Sequence, residues 1–210
     1  MAKVLTGDLV VKLWADMQSE FNFKVLRKNK SSTMRMVGSF LQMIGVQDRG
    51  DFMNKYAVTF WDKIYIPYEI GKAAGRWGLV SQVTNLAHEA HHVVQFRKNP
   101  VKFPFKYITS TSARAHYEME SMRASMEVYK YLTGEMLEPA LVASRLKAYG
   151  CKQKDIDVTQ KSLEAAYKVI EKGGVVTETS QYLIMLMERS DMRVEVLPPM
   201  HVFFDKTLFL

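Results

Sequence analysis

The segment Asn85–Gln95 carries residue types that bind a transition-metal ion, at the spacing that such an ion requires. His88 and His92 are four residues apart and Glu89 directly follows the first histidine, which gives the pattern H-E-x-x-H. Residues four apart lie on one face of a helix, so both imidazoles can reach one zinc ion at about 2.0–2.1 Å. Glu89 then lies about 100° further round the helix, where it can act as general base toward a metal-bound water. His88 and His92 are therefore the predicted ligands, and Glu89 is the predicted catalytic residue.

His91 is a competing ligand, because it lies three residues after His88 and is also its neighbour on a helix. The four-residue spacing leaves Glu89 suitably placed, so His92 is preferred. His91 is then expected to face away from the ion, as a packed residue or as support for a ligand.

A catalytic zinc with two histidine ligands needs one more protein ligand and an open position. The best source is the helix expected after the capping residues Thr109–Ser112. Glu118 shares a face of that helix with Ser121 and Ser125, whose small side chains permit a close approach to the histidine helix. Glu118 is the predicted third ligand. Glu120 is expected either to accept an imidazole N–H or, in a different register, to be the ligand itself.

The elements that position these residues follow from hydrophobic spacing. The stretch from Leu79 to Phe96 is apolar at helical intervals and lacks Gly and Pro, which predicts a long, largely buried helix. Ala57–Trp61 and Lys63–Ile66 are rich in β-branched and aromatic residues and predict one long strand or a tight hairpin. Pro100–Tyr107 is expected to be a connector, and the glutamate helix is expected to end at Gly134.

The expected fold class is α+β, a mainly helical domain with a small strand or hairpin element and a helical C-terminal part. A metal-binding domain is expected over residues 1–134 and a helical part with an apolar extended tail over 135–210, or one continuous domain. Further helices are expected at Leu9–Phe21, Ser31–Gly45, Pro139–Tyr149, Thr159–Lys172 and Thr179–Ser190. The apolar extended tail is expected over residues 191–210.

The composition restricts the possible functions. The 48% of hydrophobic residues is sufficient for a core, and no stretch reaches the roughly 18 apolar residues that a membrane span needs. Cys151 is the single cysteine, which favours a reducing compartment. The net charge of +7 permits nucleic-acid binding, and Lys24–Arg35 and Arg97–Tyr107 are basic runs, the second with interleaved aromatic residues. Solvated loops explain these runs better, so nucleic acid is a weakly supported partner.

The pattern His88–Gln95, the preceding strand Ile64–Pro67 and the following Tyr117–Ser121 resemble the zincin metallopeptidases. The resemblance is to the gluzincin arrangement with a glutamate ligand, and particularly to compact H-E-x-x-H peptidases of bacteriophages and bacteria. It covers roughly residues 60–131. It implies one zinc ion that polarises the scissile carbonyl and acidifies water, and Glu89 passing a proton to the leaving amine. It also implies a strand along the cleft that pairs with an extended peptide or protein substrate.

The chain departs from the gluzincins four residues after Glu118, where many of them have an aspartate that orients a zinc-bound histidine. Met122 stands there, so another acceptor is needed. Tyr117 and His116 are the candidates near in sequence for stabilising the oxyanion.

Two functions remain open at this point. One is a zinc metallopeptidase, and the other is a non-catalytic zincin-fold structural or adaptor protein, for example a phage particle component, whose metal stabilises the fold. The presence of Glu89 favours the enzyme. The expected location is the cytoplasm, or a virion if a phage encodes the chain. Histidine and carboxylate ligands suit zinc and are also compatible with iron, nickel or manganese.

Overall fold

The computed structural model describes residues 5–43 and 49–190, and within these ranges helices predominate. Together with a small three-stranded sheet they confirm the mainly helical α+β fold class. The helices are α1 (Gly7–Glu20), α2 (Ser32–Met43), α3 (Arg49–Lys55), α4 (Leu79–Lys98), α5 (Lys102–Thr109), α6 (Thr111–Thr133), α7 (Pro139–Ser144), α8 (Gln153–Glu171) and α9 (Glu178–Arg189). Short 3₁₀ turns cover Lys28–Lys30 and Arg145–Lys147.

The sheet has the strand order β1-β3-β2, with β1 at Lys24–Arg27, β2 at Val58–Phe60 and β3 at Lys63–Ile66. Strands β2 and β3 form an antiparallel hairpin, while β1 runs parallel to β3. The tight turn places Trp61 at φ 59°, in the left-handed region, which breaks the apolar run into two strands. The hairpin alternative of the prediction is therefore confirmed, and β2 lies at an edge of the sheet.

Helices α4 and α6 pack against each other at the centre of the described chain. Helix α4 confirms the predicted long helix, and α6 ends at Gly134 with φ 74°, a conformation that glycine adopts without strain. Alanines on both helices allow the close approach, since Ala87 and Ala90 of α4 and Ala124 of α6 lie fully buried in one core.

Helix α6 lies between two hydrophobic cores. One side of α6 shares the first core with α1, α4, the sheet and α9. Its other side contributes Ala115, Met122 and Met126 to a second core with α7 and α8. Packing in two cores therefore fixes the position of α6. The division of the chain near residue 134 stays a prediction.

Several local expectations were wrong or incomplete. The predicted connector over Pro100–Tyr107 is largely helix α5. Pro104 does not interrupt this helix, because it lies in the first turn, where a backbone N–H has no helical partner. Helix α8 begins at Gln153 rather than at Thr159. Helix α3 and strand β1 were not predicted. Gly45, the expected end of the second helix, and the tail over 191–210 lie outside the described residues.

The loop between β3 and α4 is held by one buried amide, that of Gln82 in the first turns of α4. Its Oε1 accepts from the backbone N–H of Gly71 at 2.9 Å, and its Nε2 donates to the carbonyls of Lys72 at 2.9 Å and Trp77 at 3.0 Å. Both hydrogens of this fully buried amide are thus donated to backbone carbonyls, and its oxygen accepts from a backbone N–H. The loop is tied to the helix that carries the histidines.

Candidate metal centre

Three side chains converge between α4 and α6: those of His88, His92 and Glu118, here called the inner cluster. One potential ligand atom from each lies within 4.8 Å of the others. The two Nε2 atoms are 3.2 Å apart. Nε2 of His88 lies 3.4 Å from Oε2 of Glu118, and Nε2 of His92 lies 3.4 Å from Oε1. The structure therefore brings together the three residues that the sequence predicts as ligands.

The spacing within the inner cluster fits a shared metal ion. Ligands about 2.0–2.1 Å from zinc at tetrahedral angles are about 3.3–3.4 Å apart. The two Nε2 atoms, 3.2 Å apart, are close to this spacing, and each imidazole is 3.4 Å from its nearer Glu118 oxygen, while one atom from each residue lies within 4.8 Å of the others. Glu118 is only 1% exposed and His92 7% exposed, so water cannot solvate the carboxylate. Oε2 of Glu118 has no hydrogen-bond partner among the described residues. A buried anion beside two imidazoles requires a cation or shared protons, and these donors suit a divalent ion.

The electrostatics of the inner cluster show how strongly it favours positive charge. Burial disfavours the protonated form of His92, but the Glu118 carboxylate outweighs burial and raises the pKa of His92 to about 9. Burial likewise opposes ionisation of Glu118, but His92 and His88 hold the pKa of this carboxyl well below its usual range. In the metal-free protein a proton therefore supplies the charge that a metal ion would supply, and metal binding must displace it.

Gln95 supports His92 through the ring nitrogen that faces away from the inner cluster. Nδ1 of His92 lies 2.8 Å from Oε1 of Gln95 and 3.2 Å from the Ser121 hydroxyl. The Gln95 amide nitrogen donates to Oε2 of Glu120 at 2.8 Å and to the Tyr117 carbonyl at 2.9 Å. These bonds fix the amide so that its oxygen accepts the Nδ1 proton and leaves Nε2 free for a cation. Glu120 thus acts on the cluster only through Gln95.

Tyr107 supports the third member of the cluster. Its hydroxyl donates to Oε1 of Glu118. Burial and the Glu118 carboxylate raise the pKa of Tyr107 well above its ordinary value, so the hydroxyl stays a donor. Sequence reasoning missed Tyr107, since it placed this residue in a connector, and no local pattern marks it.

Glu89 is held apart from the inner cluster by the edge strand. The hydroxyl of Thr59, on β2, donates to Oε2 of Glu89 at 2.6 Å and lies 3.1 Å from the Glu89 carbonyl oxygen. Glu89 is 5% exposed, and it lines a cavity that His88 also lines. A carboxylate beside a ligand histidine at one cavity is the arrangement expected of a base at a metal centre.

The cavity beside the inner cluster has a volume of about 250 Å³. Its walls come from α4 and α6, from the segment before β2 and from residues around the second 3₁₀ turn, and Asn85, Tyr56 and Tyr149 contribute polar atoms. Tyr117 and His116, the sequence candidates for the oxyanion, line a different cavity between α6 and α8. The structure therefore does not bring those two residues to the cavity beside the inner cluster, which Tyr56, Tyr129 and Tyr149 line instead.

A second set of histidine and glutamate side chains lies nearby, here called the outer group: His91, His116 and Glu120. Nε2 of His91 lies 3.8 Å from one carboxylate oxygen of Glu120, and Nε2 of His116 lies 3.6 Å from the other. The side chain of Glu120 is 41% exposed and that of His116 is 61% exposed. His91 thus contacts Glu120 and not the inner cluster.

The basic runs have mixed environments. Lys28 is fully buried, and its ammonium donates to the carbonyls of Phe52 and Tyr56 at 2.5 and 3.0 Å. Burial lowers the pKa of Lys28 to about 7, although Glu89 partly opposes this shift. Lys98, in the second run, forms an exposed ion pair with Glu178 at 3.6 Å. Nucleic-acid binding stays a prediction.

Comparisons with protein-family models, with curated proteins and with solved structures find no match for this chain. The class of site is therefore defined by its own geometry, a candidate metal centre of two histidines and one glutamate with a neighbouring carboxylate. In the part of the chain that the structure describes, no helix has the length and apolar composition needed to cross a bilayer.

Proposed function

We propose that the protein is a zinc-dependent hydrolase of the zincin class that cleaves peptide bonds, with Glu89 as general base. The observation that carries this proposal is the joint placement of the inner cluster and Glu89. His88, His92 and Glu118 offer three ligand atoms within 4.8 Å, and Glu89 lines the same cavity as His88. A site that only holds a metal needs no carboxylate at that position.

The donor set favours zinc, since two imidazoles and one carboxylate form a common set of three protein ligands at catalytic zinc sites. When bound, such an ion polarises a carbonyl group and lowers the pKa of water toward neutrality. His88 lines the cavity as well as the cluster, so a substrate in the cavity is within reach of the ion.

The surrounding residues have distinct roles in this proposal. Glu89 takes a proton from the attacking water and passes it to the leaving amine. Thr59 orients the base by donating to its Oε2 at 2.6 Å. Gln95 keeps the Nδ1 proton on His92, and Tyr107 keeps one oxygen of Glu118 in place. Together they hold the reacting groups before a substrate arrives.

The edge strand β2 offers a binding mode for an extended peptide. Its position at the end of the order β1-β3-β2 leaves one side for pairing with an added strand. Because Thr59 of β2 contacts Glu89, a peptide paired along β2 passes directly beside the base. Backbone pairing of this kind selects an extended conformation rather than a sequence.

The test is hydrolysis of a quenched fluorescent peptide library by the zinc-loaded wild type and by Glu89→Gln, with zinc content measured by elemental analysis. The wild type is expected to bind one equivalent and to cleave. Glu89→Gln is expected to keep the zinc and to lose at least about 100-fold in rate. Exposed Glu164→Gln is the matched control. A Glu89→Gln variant as active as the wild type overturns the mechanism, and a wild type that binds no zinc overturns the metal centre.

A second candidate function is favoured by the position of the inner cluster between the two central helices. Zinc bound by His88 and His92 of α4 and Glu118 of α6 would contribute directly to folding free energy. The protein would then be a non-catalytic structural or adaptor protein, with a virion as one possible setting. Full zinc occupancy, no hydrolysis and a melting temperature that falls on chelation would support this function over the first.

A further inference from the structure

The cavity between α6 and α8 is separate from the inner cluster and has a volume of about 490 Å³. Ala113 and Ala115 of α6 and Ser162 of α8 are among its lining residues, and their small side chains leave the space unfilled. The exposed Lys106 and Val158 also line it, so a solute can enter from the solvent. Small-molecule sites typically have volumes of about 300–1,000 Å³, and this cavity lies within that range.

The cavity contains one buried carboxylate, that of Asp155 in the first turn of α8. Asp155 is 6% exposed, and its Oδ2 accepts a hydrogen bond from the Thr111 hydroxyl at 2.8 Å. Its Oδ1 accepts no hydrogen bond from the described residues, and no cation among them pairs with the carboxylate. The dipole of α8 offsets part of the cost of burying this charge, but one oxygen is left for a donor from outside the chain.

Thr159 lies one turn further along α8 and lines the same cavity. It is 3% exposed, and its hydroxyl forms no hydrogen bond within the described part of the chain. Even the carbonyl of Asp155, four residues earlier, is not its partner, although threonine often forms this bond in a helix. Residues four apart share one face of a helix, so the cavity has a carboxylate oxygen and a hydroxyl that are both available to one ligand.

These two groups suit an ammonium group better than other ligands. An ammonium group donates three hydrogen bonds and carries the charge that Asp155 lacks. A metal ion fits less well, since no three His, Cys, Asp or Glu side chains of the described residues converge at this cavity. Met119 of α6 and Val158 of α8 supply apolar surface against which the alkyl part of an amine can pack.

We infer that this cavity binds the ammonium group of an organic amine through Asp155 and Thr159, independently of the inner cluster. Two sources supply this group, a free amino acid and an alkyl amine without a carboxylate, such as a lysine side chain. A free amino acid also carries a carboxylate, and the exposed Lys106 at the same cavity is the cation available to it.

The test measures binding with probes that differ in one group. n-Pentylamine is L-norleucine without its carboxylate, and n-pentanol has a hydroxyl in place of the ammonium group. Titrations of the full chain with isotope-labelled methionine methyl groups follow the NMR signal of Met119, which the variant Met119→Leu assigns. The same titrations are made with Asp155→Asn, with Thr159→Val and, as a matched control, with Asp157→Asn, which removes an exposed carboxylate of the same helix.

We expect n-pentylamine to bind at least about tenfold more tightly than n-pentanol, because it forms hydrogen bonds between charged groups. Asp155→Asn should remove this preference, and Asp157→Asn should keep it. Equal binding of the amine and the alcohol by the wild type overturns the inference, as does a preference that survives in Asp155→Asn.

Thr159→Val provides a second variant if Asp155→Asn fails to fold. It should weaken the binding of n-pentylamine severalfold and leave the protein at least as stable toward urea, since the hydroxyl that it removes has no partner in the free protein. An unchanged affinity for the amine in this variant contradicts the role of Thr159.

L-Norleucine identifies the source of the ammonium group. Tighter binding than that of n-pentylamine indicates an amino acid, and Lys106→Gln should then remove the difference. Equal or weaker binding indicates an amine without a carboxylate. The probes contain no peptide bond and the titrations need no metal, so amine binding in a protein that hydrolyses no peptide keeps this inference and refutes the peptidase.

Discussion

The inner cluster and the outer group contain the same residue types on the same two helices, yet only one of them has the geometry of a metal site. In the inner cluster, His88, His92 and Glu118 bring their donor atoms within 4.8 Å of one another. In both groups the two histidines contact different oxygens of one carboxylate, at 3.4 Å each in the inner cluster and at 3.8 and 3.6 Å in the outer group. Histidines thus approach a carboxylate in both, but they share a common centre only in the first.

Burial is the second difference. Glu118 is 1% exposed, whereas the side chain of Glu120 is 41% exposed. Water and salt screen an exposed ion pair, which then contributes little free energy, while a buried carboxylate without a counter-charge is expensive. The comparison teaches that convergence and desolvation, and not residue type, distinguish a ligand from a surface side chain.

The largest expected effect is the loss of metal on removal of one inner imidazole. His88→Ala should reduce the zinc bound after dialysis from about one equivalent to nearly none, because a site with three protein ligands then keeps only two. His91→Ala should retain the full equivalent. Elemental analysis of both purified variants gives the answer, and equal zinc loss in the two would erase the distinction between the groups.

The second prediction concerns the stability of the metal-free protein. The pKa of His92 is raised from 6.5 to about 9, so its stabilising charge interaction is complete below about pH 6.5 and is lost as the pH rises through 9. The wild type should therefore lose about 3 kcal/mol of unfolding free energy relative to His92→Gln over that range. Urea titrations of both proteins, with a chelator present, measure this difference.

Comparing the wild type with His92→Gln removes the contribution of Lys28 to the pH dependence of the unfolding free energy. Burial lowers its pKa to about 7, so Lys28 makes the folded state more stable as the pH rises above 7, which is the opposite trend. Lys28 is present in both proteins and cancels. His91→Gln is the control, and a pH dependence lost equally in that variant would contradict the assignment to His92.

A third, smaller effect is expected from Gln95, which connects the two groups through its bonds to His92 and Glu120. Gln95→Ala should weaken zinc binding by about 10- to 100-fold without abolishing it, since a residue that supports a ligand typically contributes this much. Competition with a fluorescent chelator measures the affinity. His116→Ala removes only an exposed contact of Glu120 and should leave the zinc affinity unchanged. A comparable loss of affinity in this variant would show that the outer group supports the metal site.

The smallest effect is expected at Thr59, whose hydroxyl donates to the proposed general base, Glu89. Thr59→Val keeps the shape of the side chain and removes the donor to Glu89, so the hydrolysis rate should fall about tenfold while zinc affinity stays unchanged. Thr59→Ser should restore the rate. A loss of zinc in Thr59→Val would show that the strand supports the metal centre itself.

The parts of the site that could be predicted from the sequence lie within a few helical turns. The spacing of His88, Glu89 and His92 and the length of α4 are local properties, so the 3.6-residue period was sufficient to predict them. The choice of Glu118 over Glu120 depended on a face of small residues, and the structure places Glu118, not Glu120, beside the imidazoles.

The supporting residues could not be predicted, because their contacts are set by tertiary packing. Thr59 lies 30 residues before Glu89 along the chain, and Ser121 lies 29 residues after His92. Tyr107 reaches Glu118 only because α5 is helical. A lysine in a basic run gives no indication that it is buried, as Lys28 is. Such pairings depend on the register of packed elements, which single-sequence periodicity does not specify.

The amide of Gln82 couples the loop before α4 to the helix of the inner cluster. It ties the backbone of Lys72 and Trp77 to the helix that carries His88, six residues and about 9 Å further along. Movement of this loop away from α4 would break the hydrogen bonds of a fully buried amide, which is costly. The loop wall of the cavity beside His88 is therefore held at one level along the helix.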